Sequence, residues 1–241
     1  MSTAPGAELQ GTILFEGRPL FDDIELALVP GGWTCLLGPS GVGKSSILRV
    51  FAGLDTGGSF RGRVTAADGL PVAGRVAFMA QTDLLAPWAS VRRNVTLGAR
   101  LRGERPDAKR AERLIARVGL AQAAEKRPAE LSGGMRQRAA LARTLMEDRP
   151  FVLLDEPFSA LDAATRAGMQ ELAHELLAGR TKLLITHDPA EAARLGDRIH
   201  LLSHGGLSAP VTLPSPPIRA PDAPEVLEAQ ARLLSEMRSA A

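Results

Sequence analysis

The chain has 241 residues, 45% of them apolar and 23% charged, which is typical of a globular domain with a sizeable core. A net charge of +2 indicates no general nucleic-acid patch. No secretory signal opens the chain and no apolar run approaches a membrane span, so we expect it not to cross a membrane itself. The single Cys35 excludes an internal disulfide framework and fits the core of a protein in a reducing compartment.

The first ten residues predict a loose start, and strands are expected at 12–15 and 24–28. Residues 33–37 then predict a short buried strand that leads into a phosphate-binding P-loop, with a helix over 46–52 behind it. The loop and the first residue of the helix are Gly38, Pro39, Ser40, Gly41, Val42, Gly43, Lys44, Ser45 and Ser46.

The chemistry of phosphate binding explains the spacing of this motif. The glycines let backbone amides of residues 41–45 wrap the β-phosphate. Lys44 reaches the β- and γ-phosphates, and the Ser45 hydroxyl can ligate Mg²⁺. A plain glycine-rich turn is the alternative, and the strand before the loop and the helix after it argue against that.

Weak strands are predicted at 60–65 and 75–79, and Gln81 follows the second. Alone, Gln81 would be a solvated loop residue. The segment Leu84–Trp88 holds two leucines, a proline and a tryptophan in an expected loop. It is too apolar for free solvent, so it either packs into the core or contacts a partner.

Helical spacing is found at 91–101 and 107–118, and again after the turn at Leu131–Arg138. Ser132 is a candidate N-cap, while Gly133 and Gly134 leave the first amides uncovered by side chains. Such a helix start is either an anion site or an ordinary capped helix.

Two apolar runs without alternation predict strands buried on both faces. The first, at 151–154, ends at Asp155 and Glu156, where open α/β sheets bind ligands. Asp155 would hold Mg²⁺ and Glu156 could take a proton from an attacking water, although a helix-capping acid is the plainer interpretation. The second run, at 182–186, ends at His187, which is either a γ-phosphate contact or a surface residue.

The remaining pattern predicts helices at 163–177 and 189–195 and a strand at 197–202. Six prolines within 209–224 indicate an extended tether. An amphipathic helix over 225–237 is expected to pack back on the body of the protein rather than bind a partner.

In this order the motifs resemble the nucleotide-binding subunit of an ABC transporter. The resemblance rests on the P-loop, Gln81, the signature at 131–135, Asp155-Glu156 and His187, with Ser159–Asp162 as the D-loop. It implies an α/β P-loop NTPase with a RecA-like core, a mostly parallel sheet, an antiparallel β subdomain and an inserted α-helical subdomain. The ATPase domain would cover 8–205, with the helical subdomain at about 88–148 and the tether and C-terminal helix at 206–241.

The family resemblance also implies a mechanism that uses ATP and Mg²⁺. Two subunits would dimerise head to tail, so that Ser132, Gly133 and Gly134 of one face the γ-phosphate on the P-loop of the other. Glu156 would be the general base and His187 would position the γ-phosphate. Gln81 would sense Mg²⁺ and water, and Asp162 would link the two sites. Phe15 would stack on adenine, with Phe21 as the alternative.

The Leu84–Trp88 segment further resembles importers of the nitrate, sulfonate and taurine type, a group that includes carriers of pyrimidine precursors. This implies a peripheral subunit on the cytoplasmic face of the plasma membrane. It would contact integral-membrane permease subunits near Leu84–Trp88 and a solute-binding protein indirectly, with no nucleic-acid partner. The alternative is a soluble ABC ATPase of iron–sulfur cluster assembly. A chromosome-type ATPase would need a long coiled coil between Gln81 and the signature, and the chain has no room for one.

Overall fold

A computed structural model describes residues 3–203 and 206–239 of the chain. The strands are β1 (Ala7–Phe15), β2 (Arg18–Leu28), β3 (Trp33–Leu37), β4 (Ser59–Ala66), β5 (Val76–Met79), β6 (Phe151–Asp155), β7 (Thr181–Thr186), β8 (Arg198–Ser203) and β9 (Gly206–Leu207). The helices are α1 (Lys44–Ala52), α2 (Val91–Val95), α3 (Leu97–Leu101), α4 (Ala108–Arg117), α5 (Gly133–Met146), α6 (Ala163–Leu176), α7 (Pro189–Leu195) and α8 (Pro224–Ser239). Short 3-10 helices lie at Ala121–Ala123 and Pro128–Glu130.

The chain forms two compact units. The first, so far as it is described, comprises Met1–Val76, Pro150–Asp155 and Ala178–Ala241, and the second comprises Ala77–Arg149 and Glu156–Leu177. The sequence-based boundaries at 8–205, 88–148 and 206–241 stay a prediction.

The first unit contains a sheet in the order β6-β7-β3-β8-β9, in which all the strands except β9 run parallel. Every residue of β3, β6 and β7 is buried. Strands covered on both faces need apolar side chains on both, which explains the runs without alternation. The predicted buried strands are confirmed, and Cys35 lies in β3 with no exposed surface.

An antiparallel sheet in the order β2-β1-β4 also belongs to the first unit. Here the expected loose start is wrong, because β1 already begins at Ala7. Ala7 pairs with Leu28 on one side and Ala66 on the other, and its side chain is buried. Gly11 allows the close pairing with β4, since a Cβ there would lie 2.3 Å from the Arg61 carbonyl oxygen.

The Pro-rich segment is not an extended tether. The Arg219 side chain is buried, and its Nη1 donates to the carbonyls of Ala193 at 2.8 Å and Gly196 at 2.9 Å. These carbonyls belong to the C-terminal end of α7, where helix geometry leaves acceptors unpaired within the helix. The guanidinium therefore fixes the segment to the body of this unit.

The C-terminal helix α8 packs against α7 and β8, as expected. Val226 and Leu233 are buried at seven-residue spacing on the packed face.

The second unit has a helical core in which α2, α4 and α5 pack on one another. The expected single helix over 91–101 is instead divided into α2 and α3 at Thr96. The Thr96 hydroxyl donates to the Arg92 carbonyl at 3.0 Å and its amide donates to the same oxygen. A β-branched residue that bonds back to the preceding turn favours a break here.

Candidate active site

The P-loop connects β3 to α1 within the first unit. The Lys44 side chain is buried and its Nζ donates to the carbonyls of Gly38 at 2.7 Å and Pro39 at 2.8 Å. Gly43 caps α1 at φ 102°, and a Cβ there would lie within 2.9 Å of the Leu20 and Phe21 side chains. The loop thus needs glycine at this position and curls around the ammonium group of Lys44.

Strand register places the start of the P-loop, Asp155 and His187 at one edge of the sheet in this unit. Leu37, the last residue before the P-loop, pairs with Thr186, the residue before His187. Asp155 pairs with Ile185 at the end of β6. Because these strands are parallel, their carboxyl ends share one edge, where open α/β sheets bind ligands. At this edge Asp155 is buried and His187 is exposed.

Glu156 lies in the second unit and is held from two sides. Its Oε2 accepts from Gln81 Nε2 at 3.3 Å, and its backbone carbonyl accepts from Gln137 Nε2 at 3.0 Å. The Glu156 backbone has φ 48°, in the left-handed region that a non-glycine residue enters at a cost. The hydrogen bonds from Gln81 and Gln137 restrain the residue in this conformation.

The signature turn starts α5, and the prediction that Ser132 is its N-cap is confirmed. Ser132 Oγ accepts from the Met135 amide at 3.3 Å. Ser132 and Gly133 are exposed, so the first turn faces solvent within this unit. At Gly134, a Cβ would lie 3.3 Å from the Ala160 carbonyl oxygen, which fits a small residue beside the D-loop.

Asp162 is the last residue of the D-loop and the N-cap of α6. Its Oδ1 accepts from the Thr165 amide at 3.0 Å, and hydrogen bonds from the Thr165 backbone and side chain hold the pKa of this exposed carboxyl below its usual range. The carboxylate is therefore charged at neutral pH and open to solvent.

The two aromatic candidates for adenine stacking lie in different surroundings. Phe15 is 49% exposed at the end of β1, whereas Phe21 is 4% exposed and packs beneath Gly43. Only a ring with a free face can stack on a base, so Phe15 fits the predicted role and Phe21 supports the loop.

The Leu84–Trp88 segment divides its side chains between the interior of the second unit and solvent. Leu85 and Ala86 are buried, but Leu84 is 64% and Trp88 is 75% exposed. The alternative that the segment packs into the core is therefore correct for Leu85 and Ala86 only. Leu84 and Trp88 thus present two large apolar side chains to solvent within one short segment.

The family model described as ABC transporter matches residues 21–159. The chain belongs to the ABC transporter family. It is 46% identical to the aliphatic sulfonates import ATP-binding protein SsuB 1 of Rhodococcus jostii, over 83% of this chain and 80% of that protein. It is also 41% identical to SsuB 2 of Streptomyces avermitilis, over 98% and 92% of the two chains.

Solved structures agree with this assignment. An ATP-binding cassette, MJ0796, in a dimeric post-hydrolysis state with ADP and Pi has 27% identity and a TM-score of 0.76 over 89% of this chain and 99% of that one. A bacterial Atm1-family exporter with ATP bound has 22% identity and the same TM-score, and shows the fold alone; the match covers 97% of this chain and 43% of the exporter. This ABC protein is a P-loop NTPase that binds and hydrolyses ATP.

Two polar residues of the ABC fold gained no role from sequence reasoning. Gln137 is 6% exposed, and its Oε1 accepts from the Ala160 amide at 2.8 Å while its Nε2 holds the Glu156 carbonyl. Asn94 has no exposed surface, and its Oδ1 accepts from the Ala86 amide at 2.7 Å. A polar residue at an apolar position of a helical pattern is the signal that could have revealed both.

The donor set fits Mg²⁺ bound together with a nucleotide. In the described chain, no group of three His, Cys, Asp or Glu side chains could hold a metal ion by itself. Ser45 and Asp155 instead offer one hydroxyl and one carboxylate in the first unit. Mg²⁺ commonly binds one or two such oxygens together with substrate phosphates.

Proposed function

We propose that this ABC ATPase energises an importer of small aliphatic sulfonates, working as a head-to-tail dimer on integral-membrane permease subunits. The exposed Leu84 and Trp88 side chains carry the proposal, because they give the ATPase an apolar docking surface. The substrate class is supported by the SsuB relatives, which match over most of the chain. Among the described residues, none of the helices combines the length and the apolar character needed to span a membrane.

We assign the chemical roles by unit. In the first, Lys44 and the amides of 41–45 would bind the phosphates, Ser45 and Asp155 would hold Mg²⁺, and His187 would contact the γ-phosphate. When bound, Mg²⁺ neutralises phosphate charge. Phe15 would stack on the adenine.

In the second unit, Glu156 would take a proton from the attacking water while the water oxygen bonds to the γ-phosphorus and the β–γ bridge breaks. Gln81 orients the Glu156 carboxylate and would sense Mg²⁺ and water. In the dimer, Ser132, Gly133 and Gly134 would face the γ-phosphate on the partner's P-loop, and Asp162 would link the two sites.

Purification from membranes tests this function. The tagged chain, expressed in its source cells and extracted in mild detergent, should carry integral-membrane subunits with it. In reconstituted vesicles, an aliphatic sulfonate and its binding protein should stimulate ATP hydrolysis, whereas nitrate should not. Recovery only in a water-soluble assembly, with no integral-membrane chain, would exclude the importer and favour an assembly ATPase. Stimulation by nitrate alone would overturn only the substrate class.

A further inference from the structure

The docking segment, defined here as residues 83–88, is held by two arginines of helix α5. Arg143 Nη1 donates to the Leu84 carbonyl and Nη2 to the Asp83 carbonyl, each at 2.7 Å. Arg136 Nε donates to Asp83 Oδ2 at 3.0 Å. Positions 136 and 143 are seven residues apart and so project from one face of the helix.

The geometry at Leu84 shows what the Arg143 clamp maintains. Leu84 has φ 46°, a left-handed conformation that is unfavourable for a leucine, and its side chain is largely exposed. Burial lowers the pKa of the Arg143 guanidinium, with Asp83 and Glu147 opposing the shift. The guanidinium lies in a partly buried site and holds two carbonyls of the loop. These bonds order the backbone that presents Leu84.

Helix α5 connects this clamp to the signature. The helix runs without a break from Gly133 to Met146, with Ser132 as its N-cap. Its first turn and the clamp are thus parts of one rigid element, because a continuous helix moves as a body. A displacement of the signature turn along this helix would therefore also move the arginines that hold Asp83 and Leu84.

We infer that Arg143 is a positioning residue that couples the nucleotide-facing end of α5 to the docking segment. The inference rests on the proposed function, since the segment matters only if a partner binds it. Arg143 would contact neither the nucleotide nor the partner that binds the docking segment. It would make the conformation of residues 83–88 depend on whether ATP occupies the dimer.

Hydrogen exchange on the full chain tests this without a permease. In a Glu156→Gln background, which should keep ATP bound, ATP should slow exchange of the 82–88 amides. Arg143→Met should speed exchange there about tenfold without nucleotide and remove the effect of ATP. Arg143→Lys should lose most of the effect as well, because one ammonium cannot bridge two carbonyls as the guanidinium fork does. It also serves as the milder variant if the methionine variant is poorly folded.

Arg138→Met is the matched control. Arg138 lies on the same helix and its Nη1 donates to the Val118 carbonyl at 2.9 Å, away from the docking segment. This variant should loosen residues near 118 and keep the ATP effect at 82–88. The inference is overturned if ATP leaves exchange at 82–88 unchanged in the parent, or if the ATP effect survives in both Arg143 variants. Failure of the importer function shows separately, in the membrane purification.

Discussion

The side-chain amide of Gln81 donates to the carboxylate of Glu156, Nε2 to Oε2, at 3.3 Å. The two residues are far apart in sequence, and one follows β5 while the other follows β6. Glu156 is 8% exposed and Gln81 is exposed, so the amide meets the carboxylate at the surface of its unit. The residue proposed to sense Mg²⁺ and water is thus hydrogen-bonded to the residue proposed to activate that water.

Glu156→Gln should bind ATP but hydrolyse it about 100-fold or more slowly, because the amide cannot accept the proton from water. Single-turnover hydrolysis and nucleotide affinity measure the two effects, and light scattering with ATP should show an accumulated dimer. Glu112→Gln is the control, since that exposed carboxylate only pairs with Arg92. A Glu156→Gln protein with unimpaired turnover would remove the base assignment.

Lys44→Ala should weaken ATP binding about tenfold or more, because a buried charge that would contact the phosphates is lost. In the structure this ammonium is held by the Gly38 and Pro39 carbonyls, so nucleotide would meet a cation already in place. Isothermal titration with ATP gives the affinity, and Lys109→Ala, at an exposed helix position, is the control. Equal affinities in the two variants would contradict the assignment.

Trp88→Ala should reduce the affinity of the ATPase for its permease about tenfold or more, since an exposed tryptophan is a typical interface anchor. Leu101→Ala is a matched control, because Leu101 is 78% exposed in the same unit but lies outside the docking segment. Affinity can be measured by titrating detergent-solubilised permease with each labelled variant. The docking role of Trp88 fails if both substitutions have the same small effect.

Local patterns predicted most of the central fold and the position of the P-loop, Asp155 and His187 at the ends of buried strands, while the roles of these residues stay a prediction. The runs at 151–154 and 182–186 have no alternation, and burial on both faces is their only stable solution in a soluble sheet. Contacts between residues that are distant in the chain could not be predicted from these patterns. Nothing near Arg219 shows that it will cap the carboxyl end of α7, and nothing near Arg143 points to the carbonyls of Asp83 and Leu84. Such contacts depend on how elements pack, which periodicity does not encode.

The same limit explains the error at the amino terminus. Residues 7–10 have weak strand character of their own, and they become a strand because β2 and β4 pair with them on both sides. Pairing partners distant in sequence determine the conformation here.

Lys182 gives a prediction about the pH dependence of stability. Its side chain is 2% exposed, its Nζ donates to the Gly31 carbonyl at 2.7 Å and lies 5.2 Å from the centroid of the Trp33 ring. Burial lowers the pKa of Lys182 from 10.5 to about 8, with Asp197 opposing the shift. Between these two pKa values the unfolded chain holds a proton that the folded chain has released. The free energy of unfolding therefore rises with pH in this window. Below about pH 8 the lysine is charged in both states, and the cost of burying the charge is fully present.

We therefore compare the free energy of unfolding of the parent with that of Lys182→Met. Between pH 7 and pH 9, the difference between them should change by about 1 kcal/mol in favour of the parent. Urea denaturation of both proteins at the two pH values measures this difference. Comparing parent and variant cancels groups that titrate equally in both, among them the thiol of Cys35, whose pKa burial raises. Lys109→Met, at an exposed position, should keep a constant offset from the parent. If Lys182→Met and the parent change in parallel, the Lys182 ammonium does not titrate in this range and its burial costs less than the structure indicates.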